Sequence, residues 1–309
     1  MGRTVYILGG YLPYGGAYAL YTIGHILQQH FGFSCRVVRL PSNDITEDRE
    51  LFDYPDKYEC VEIPTLMSDM SKSDLLVMGA AASHYGFGLS LPGKKLMCIL
   101  GYNTFNVLDG FCDYYMCNSK FVQQFINTLY GFSPPLIPPF IDLKSIPSGK
   151  PWQERPANII LTHGKQFFPE LVRELQKRMG ARHPSVEFEI LYTQGLPHHE
   201  FLEQLANYRY FMPLSPCEGF GLTPLEAMAC GCCVVGFHAN GGLEYMRPGV
   251  NCEVVGYPQL DSLADKVSGV LRYPDKAEAL AGQGRIDAQY YDFPIIERQW
   301  ITYLSEIVR

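Results

Sequence analysis

Residues 218–231 read EGFGLTPLEAMACG and stand between two apolar runs, YFMPL at 210–214 and CCVVGF at 232–237. The order is strand, glycine loop, helix, strand. Gly219 and Gly221 leave room for a ligand to approach the backbone closely. Thr223 followed by Pro224 reads as a helix start, with the hydroxyl as N-cap and proline at the first helical position. The free N–H groups and positive dipole end of such a helix suit an anion such as a diphosphate. Glu218 and Glu226 flank the loop. Glu226 lies three residues after Thr223, so Thr-x-x-Glu also reads as a capping box, a purely structural use of that carboxylate.

Outward from this stretch, short apolar runs alternate with helical spacing along the whole chain. Strands are expected at 5–8, 36–40, 75–78, 95–100 and 114–117, with a helix over 17–30. The second half repeats the pattern, with strands at 158–162, 187–192, 210–213, 233–237 and 252–255 and helices at 168–179, 200–207 and 225–230. Such βαβ alternation predicts parallel sheets covered on both faces. Residues 133–156 hold seven prolines and little periodicity, which reads as a linker. Two doubly wound domains facing each other across a cleft follow. The last segment, 293–308, places Ile296, Trp300, Tyr303, Leu304 and Ile307 on one helical face.

The chain has 309 residues, 47% of them hydrophobic, with a formal net charge of −7. Both halves carry more acidic than basic residues, so neither nucleic acid nor an anionic membrane surface has electrostatic support as a partner. No apolar run approaches the ~20 residues of a membrane span. The N-terminal MGRTVYILGG lacks the pattern of a signal peptide, which leads to a cytoplasmic expectation and leaves peripheral membrane contact open. The ten cysteines show no framework spacing and read as reduced, buried thiols. Cys230 and Cys233 form a C-x-x-C, but no second ligand pair accompanies it. With no Asp-x-Asp and no other cluster of ligand spacing, no metal and no separate cofactor are expected.

The stretch 218–231 resembles the Glu-x7-Glu signature of the retaining GT-B glycosyltransferases of family four. The pattern continues in NGGLE at 240–244 and GVNCEVV at 249–255, where Cys252 replaces a usual glycine. LPYGGA at 12–17, DYYMCNSK at 113–120 and LIPPFID at 136–142 resemble further segments of the family, with Phe140 in place of a glycine. Two departures stand out. The family's Gly-Arg and Lys-Gly cations are reduced to LTHGKQFF at 161–168, and a loop-and-strand stretch between Gln194 and Glu203 is missing.

The resemblance implies an α/β GT-B fold of two Rossmann-like domains. An acceptor-side domain would cover residues 1–141, with the helix 293–309 crossing back onto it. A nucleotide-sugar domain would cover 142–292. It implies a retaining transfer of a hexose-type sugar from a nucleoside diphosphate donor to a hydroxyl of a glycan or small-molecule acceptor. Glu226 would accept hydrogen bonds from the ribose, a task suited to an acceptor-only carboxylate. Glu218 would stand beside the transferred sugar, at a strand's carboxyl end where open α/β sheets bind ligands. Gly219, Phe220, Gly221, Leu222 and Thr223 would surround the diphosphate, with Gly164 and Lys165 supplying a cation. Arg173 is a weaker candidate for a second one. Gly15 and Gly16 would admit phosphate or acceptor, and His84 would touch the donor sugar, with Tyr102 and Asn103 on the same acceptor side. His198 and His199 read only as exposed residues ahead of a helix.

Three other readings stay open: a nucleotide-sugar epimerase, a sugar phosphorylase, and a non-catalytic nucleotide-sugar-binding module. The missing second cation favours the last of these.

Overall fold

The structure is a computed structural model that describes residues 2–8, 15–40, 58–163, 169–193 and 195–309. The chain divides into two compact units, residues 1–139 with 296–309, and residues 140–295. Each is a parallel α/β sheet, as the alternation predicts.

The first unit carries six strands: β1 (Thr4–Leu8), β2 (Ser34–Arg39), β3 (Glu59–Glu62), β4 (Leu75–Gly79), β5 (Lys94–Ile99) and β6 (Tyr114–Cys117). Their order is β3-β2-β1-β4-β5-β6, all parallel. Central β1 and β4 are almost wholly apolar because both faces are covered. Helix α1 (Gly15–Phe31) lies close on the sheet at Gly24, where a Cβ would stand 2.9 Å from Cys35 Sγ. Strand β3, which the sequence reading missed, is a short edge strand with the polar sequence ECVE. Its register pairs Arg36 with Glu59 and Arg39 with Glu62, and both pairs form ion pairs. Polar residues suit an edge strand, and they erase the apolar run that reveals the others.

Helices α2 (Ile63–Asp69), α3 (Phe87–Ser90) and α4 (Lys120–Tyr130) complete the first unit, with most of the last helix, α10 (Phe293–Ile307). Ile296, Trp300, Leu304 and Ile307 of α10 are buried. Tyr303 Oη donates to the Tyr115 carbonyl at 2.7 Å, which ties α10 to β6.

The second unit carries β7 (Ile159–His163), β8 (Glu189–Thr193), β9 (Tyr210–Phe211), β10 (Cys233–Phe237) and β11 (Glu253–Val255). The order is β11-β10-β9-β7-β8, again all parallel. Helices α5 (Pro169–Arg182) and α8 (Leu260–Arg272) pack in one apolar cluster with Tyr210, Met212 and Val235. Helices α6 (His198–Asn207) and α7 (Leu222–Ala229) pack in another with Phe211 and Val234. Alternate residues of one strand thus feed opposite faces, which makes the sheet doubly wound. Helix α9 (Pro274–Ala288) follows α8. The connection from β7 runs to β8 on one side and that from β9 to β10 on the other, so the two neighbours send their connections in opposite directions. The carboxyl ends of β7 and β9 therefore bound a topological switch point, the place where open α/β sheets hold ligands.

The chain passes from one unit to the other at Pro139–Phe140, inside the linker expected over 133–156, and the residues on either side of that point are packed. Leu136 forms a bridge with Cys117 and Ile141 one with Asp292. Arg155 is buried; its Nε donates to the Lys150 carbonyl at 2.8 Å. Its Nη1 donates to the carbonyls of Tyr208, Cys230 and Gly231, each at 3.2 Å. Prolines remove ladder donors without preventing burial, so a proline-rich connection can still pack. Among the described residues no helix is long and apolar enough to cross a membrane.

Candidate active site

The loop 218–221 follows β9 and leads into α7 at the switch-point crevice. Its backbone is held from the side by residues 239–245. Glu218 N–H donates to the Ala239 carbonyl at 2.8 Å, and Glu218 bridges Asn240. A Cβ at Gly241 would stand 2.2 Å from the Gly219 carbonyl oxygen and 2.7 Å from that of Glu218. Both contacts are to backbone, so Gly241 is required by close approach. Ala239 and Asn240 hold φ of 50° and 64°, in the left-handed region that non-glycine residues seldom adopt. The NGGLE motif is thus the brace of the Glu218 loop. Gly241→Ala should destabilise the protein by about 2–3 kcal/mol and abolish ligand binding at the loop. Gly16→Ala, whose Cβ meets only Leu100 Cδ1 at 3.5 Å, should leave stability nearly unchanged. Urea unfolding of both variants checks this.

The start of α7 differs from the expected cap. The N-cap is Gly221, at φ +83° and ψ 76°, and no side chain caps the helix. Thr223 is the second helical residue and Pro224 the third. Proline costs nothing there, because first-turn N–H groups have no intrahelical partner. The Thr223–Glu226 capping box does not form. Tyr245 Oη donates instead to the Gly221 carbonyl and fixes the turn. The phenol is buried and packs at a tilt against Phe220 at 5.2 Å, beside Tyr291. Burial pushes its pKa well up, and the charges of Glu218 and Glu226 add to that rise. One side chain therefore feels both carboxylates of the signature. Phe220 is buried against Tyr245 and Tyr291, so its side chain anchors the loop from within. Gly219 is buried, and Leu222 and Thr223 are partly exposed at the helix start.

Glu226 is buried rather than capping, and Oε1 lies 2.7 Å from His198 Nε2. His198 is exposed as expected, but it is the first residue of α6 rather than ahead of it. His163, at the carboxyl end of β7, also lies near Glu226. Its Nδ1 is 2.7 Å from the Thr193 carbonyl, and its ring packs on Phe201 at 4.3 Å. Burial lowers its pKa most strongly, against opposing effects of the Thr193 carbonyl and Glu226. The sequence reading passed over His163 and gave His198 no role in the site. Their one signal was position: His163 ends a strand just before Gly164, and His198 follows Pro197 at a helix start.

Gly164 and Lys165 lie outside the described residues. Arg173 is exposed on α5 and paired with Glu170 at 2.9 Å. In the first unit, Gly15 and Gly16 open α1, while residues 12–14 of that glycine loop lie outside the described residues. His84 is exposed in the 3-10 turn Ala80–Tyr85 that follows β4. Its Nδ1 donates to the Ala81 carbonyl at 2.9 Å, which leaves Nε2 as the acceptor of a neutral ring. Tyr102 packs edge-on against Phe121 and Phe125 after β5, and Asn103 is exposed. The two segments thus follow neighbouring strands of one sheet.

The downstream motif GVNCEVV is structural. Asn251 is fully buried; it donates to the Tyr245 carbonyl at 2.7 Å and accepts from Arg247 N–H at 2.7 Å. Cys252 is fully buried as well. Cys230 and Cys233 are free, buried thiols whose pKa values burial raises. Among the described residues, no three His, Cys, Asp or Glu side chains are grouped to hold a metal.

Comparison with known proteins agrees with this architecture. Residues 172–287 match the family model described as glycosyl transferases group 1. No curated protein matches the sequence. Among solved structures, Anabaena HepE in complex with UDP and glucose aligns with a TM-score of 0.75 at 15% identity, covering 98% of this chain and 100% of that one. A glycosyltransferase from Rickettsia africae aligns at 0.75 and 14%, covering 100% and 99%. Sucrose-phosphate synthase from Thermosynechococcus elongatus aligns at 0.70 and 15%, covering 99% of each chain. The fold is that of the GT-B enzymes, and the enzyme class is glycosyltransferase. The matched residues 172–287 contain Glu218, Glu226, His198 and the bracing motif.

Proposed function

We propose that the protein is a retaining hexosyltransferase that uses a uridine diphosphate sugar. The observation that carries this reading is the pinned loop between Glu218 and Glu226, with Tyr245 close enough to feel both charges. Anabaena HepE, solved with UDP and glucose and with UDP-glucose, favours uridine as the base. Glu226, at the foot of α7, accepts from the ribose hydroxyls. The first-turn N–H groups of α7 and Lys165 receive the diphosphate. Glu218 stands beside the anomeric carbon and stabilises the positive charge that develops there. The first unit, with Gly15, Gly16 and His84 along one sheet, receives the acceptor.

In the reaction, the bond from the anomeric carbon to the diphosphate oxygen breaks. The acceptor oxygen bonds to the same carbon from the same face. The departing phosphate oxygen takes the acceptor proton, and the nucleoside diphosphate leaves. The protein contributes positioning and charge stabilisation. No metal is required, because the helix end and lysine supply the positive charge.

A thermal-shift panel in excess EDTA tests the binding half of this reading, since a ligand of the native state raises the melting temperature. UDP and UDP-hexoses should raise it without added metal. A requirement for Mg²⁺ or Mn²⁺ would contradict the metal-free site, and indifference to every nucleoside diphosphate would contradict the reading as a whole.

A further inference from the structure

The contact between His198 and Glu226 has no place in the Glu-x7-Glu pattern. The Glu226 side chain is 7% exposed and that of His198 is 51% exposed. Glu226 lies on α7 between Leu225 and Ala227, which belong to an apolar cluster with Phe201 and Leu202 of α6. An ion pair in open solvent contributes little, but a buried carboxylate without a donor is costly. An ionised carboxylate only accepts, so Nε2 of His198 carries the proton of the 2.7 Å bond. The ring is set by the start of α6, whose Phe201, Leu202 and Leu205 are buried.

Titratable side chains that face Glu226 among the described residues include His163, His198, Cys230 and Tyr245. Tyr245 spends its proton on the Gly221 carbonyl. Cys230 directs its thiol to the Leu202 carbonyl at 3.7 Å. His163 spends Nδ1–H on the Thr193 carbonyl, and burial favours its neutral form, so its other nitrogen accepts. Of the four, His198 is the donor to the carboxylate. A carboxylate has two oxygens, and this bond engages one.

We propose that His198 is a positioning residue for the donor nucleotide: it holds Oε1 of Glu226 so that Oε2 is presented to the ribose hydroxyls. The inference rests on the reading of Glu226 as the ribose acceptor. Its signature is sensitivity to the sugar hydroxyls of the nucleotide, which damage to the fold would not mimic.

The experiment titrates the full-length protein with UDP, GDP and ADP and with the 2′,3′-dideoxy form of each. The wild type and the variants His198→Ala, His198→Gln and Glu226→Gln are compared. The wild type should prefer the ribonucleotide of its cognate base by about tenfold or more, the worth of a hydrogen bond to a charged group. His198→Ala should lose most of that preference while binding the dideoxy form as before. His198→Gln, which keeps an N–H donor, should regain it. Loss of the preference in Glu226→Gln but not in His198→Ala would overturn the role of His198 and leave the ribose reading intact. Equal weakening of both nucleotide forms in His198→Ala would make the histidine merely structural. Tighter ribonucleotide binding in that variant would make it a competitor for the carboxylate. A wild type that binds none of the six, or does not distinguish the forms, would overturn both the ribose reading and this inference.

Discussion

Glu218→Ala should lower kcat on the order of 10²–10³-fold while shifting nucleotide affinity less than about threefold. The magnitude is that of removing one preorganised electrostatic stabiliser from an active site. The split follows from where the residue sits. Its backbone is fixed twice, by the Ala239 carbonyl and by the Asn240 bridge, so the loop keeps its course when the side chain is removed. The nucleotide end of the proposed site lies with Glu226 and α7. An interaction that strengthens only as charge develops at the anomeric carbon appears in kcat, not in ground-state binding. Steady-state kinetics with UDP titrated separately provide the check. A variant that loses nucleotide affinity and keeps kcat would place Glu218 on the nucleotide instead.

The second large effect concerns stability and lies outside the site. Arg155→Met should destabilise the second unit by about 3–4 kcal/mol, read as a shift of its urea midpoint. The guanidinium is buried and donates to four carbonyls, two of them, Cys230 and Gly231, just past the end of α7. A cation at a helix C-terminus also complements the dipole. Methionine fills similar space but leaves those carbonyls without their donor. Arg155→Lys should recover only part of the loss, because an ammonium lacks the planar fork that reaches several carbonyls at once. A midpoint change worth less than about 1 kcal/mol would show that water replaces the guanidinium at little cost.

Much of the fold was legible because burial on both faces of a parallel sheet leaves continuous apolar runs. Strands β1, β4 and β10 are such runs, and glycines and proline mark the turn between β9 and α7. Strand β3 was not legible, since its two ion-paired glutamates break the apolar run. The carboxylate pair was readable from local spacing. The helix start was read wrongly for a physical reason. Thr-Pro is a good local cap, but the backbone of Gly219 and Gly221 is set by Gly241 and Tyr245, more than twenty residues on. Those contacts place the N-cap at Gly221 and move Thr223 inside the helix. Arg155 was passed over, and His198 given no role, on the same ground. Three of the four carbonyl partners of Arg155 lie 53 to 76 residues away in sequence and the partner of His198 lies 28 away, separations that only tertiary packing closes.

The central claim is that the Glu218–Glu226 loop serves sugar transfer with retention from a uridine diphosphate donor. Proton NMR of the reaction of an α-linked UDP-hexose tests it most directly, because the anomeric proton reports both bond cleavage and configuration. With an acceptor found by screening, the product should carry an α-linked anomeric signal. With water in its place, the first hexose released should be the α anomer, before mutarotation. A β-linked product, or a β anomer as the first hexose, would contradict the account.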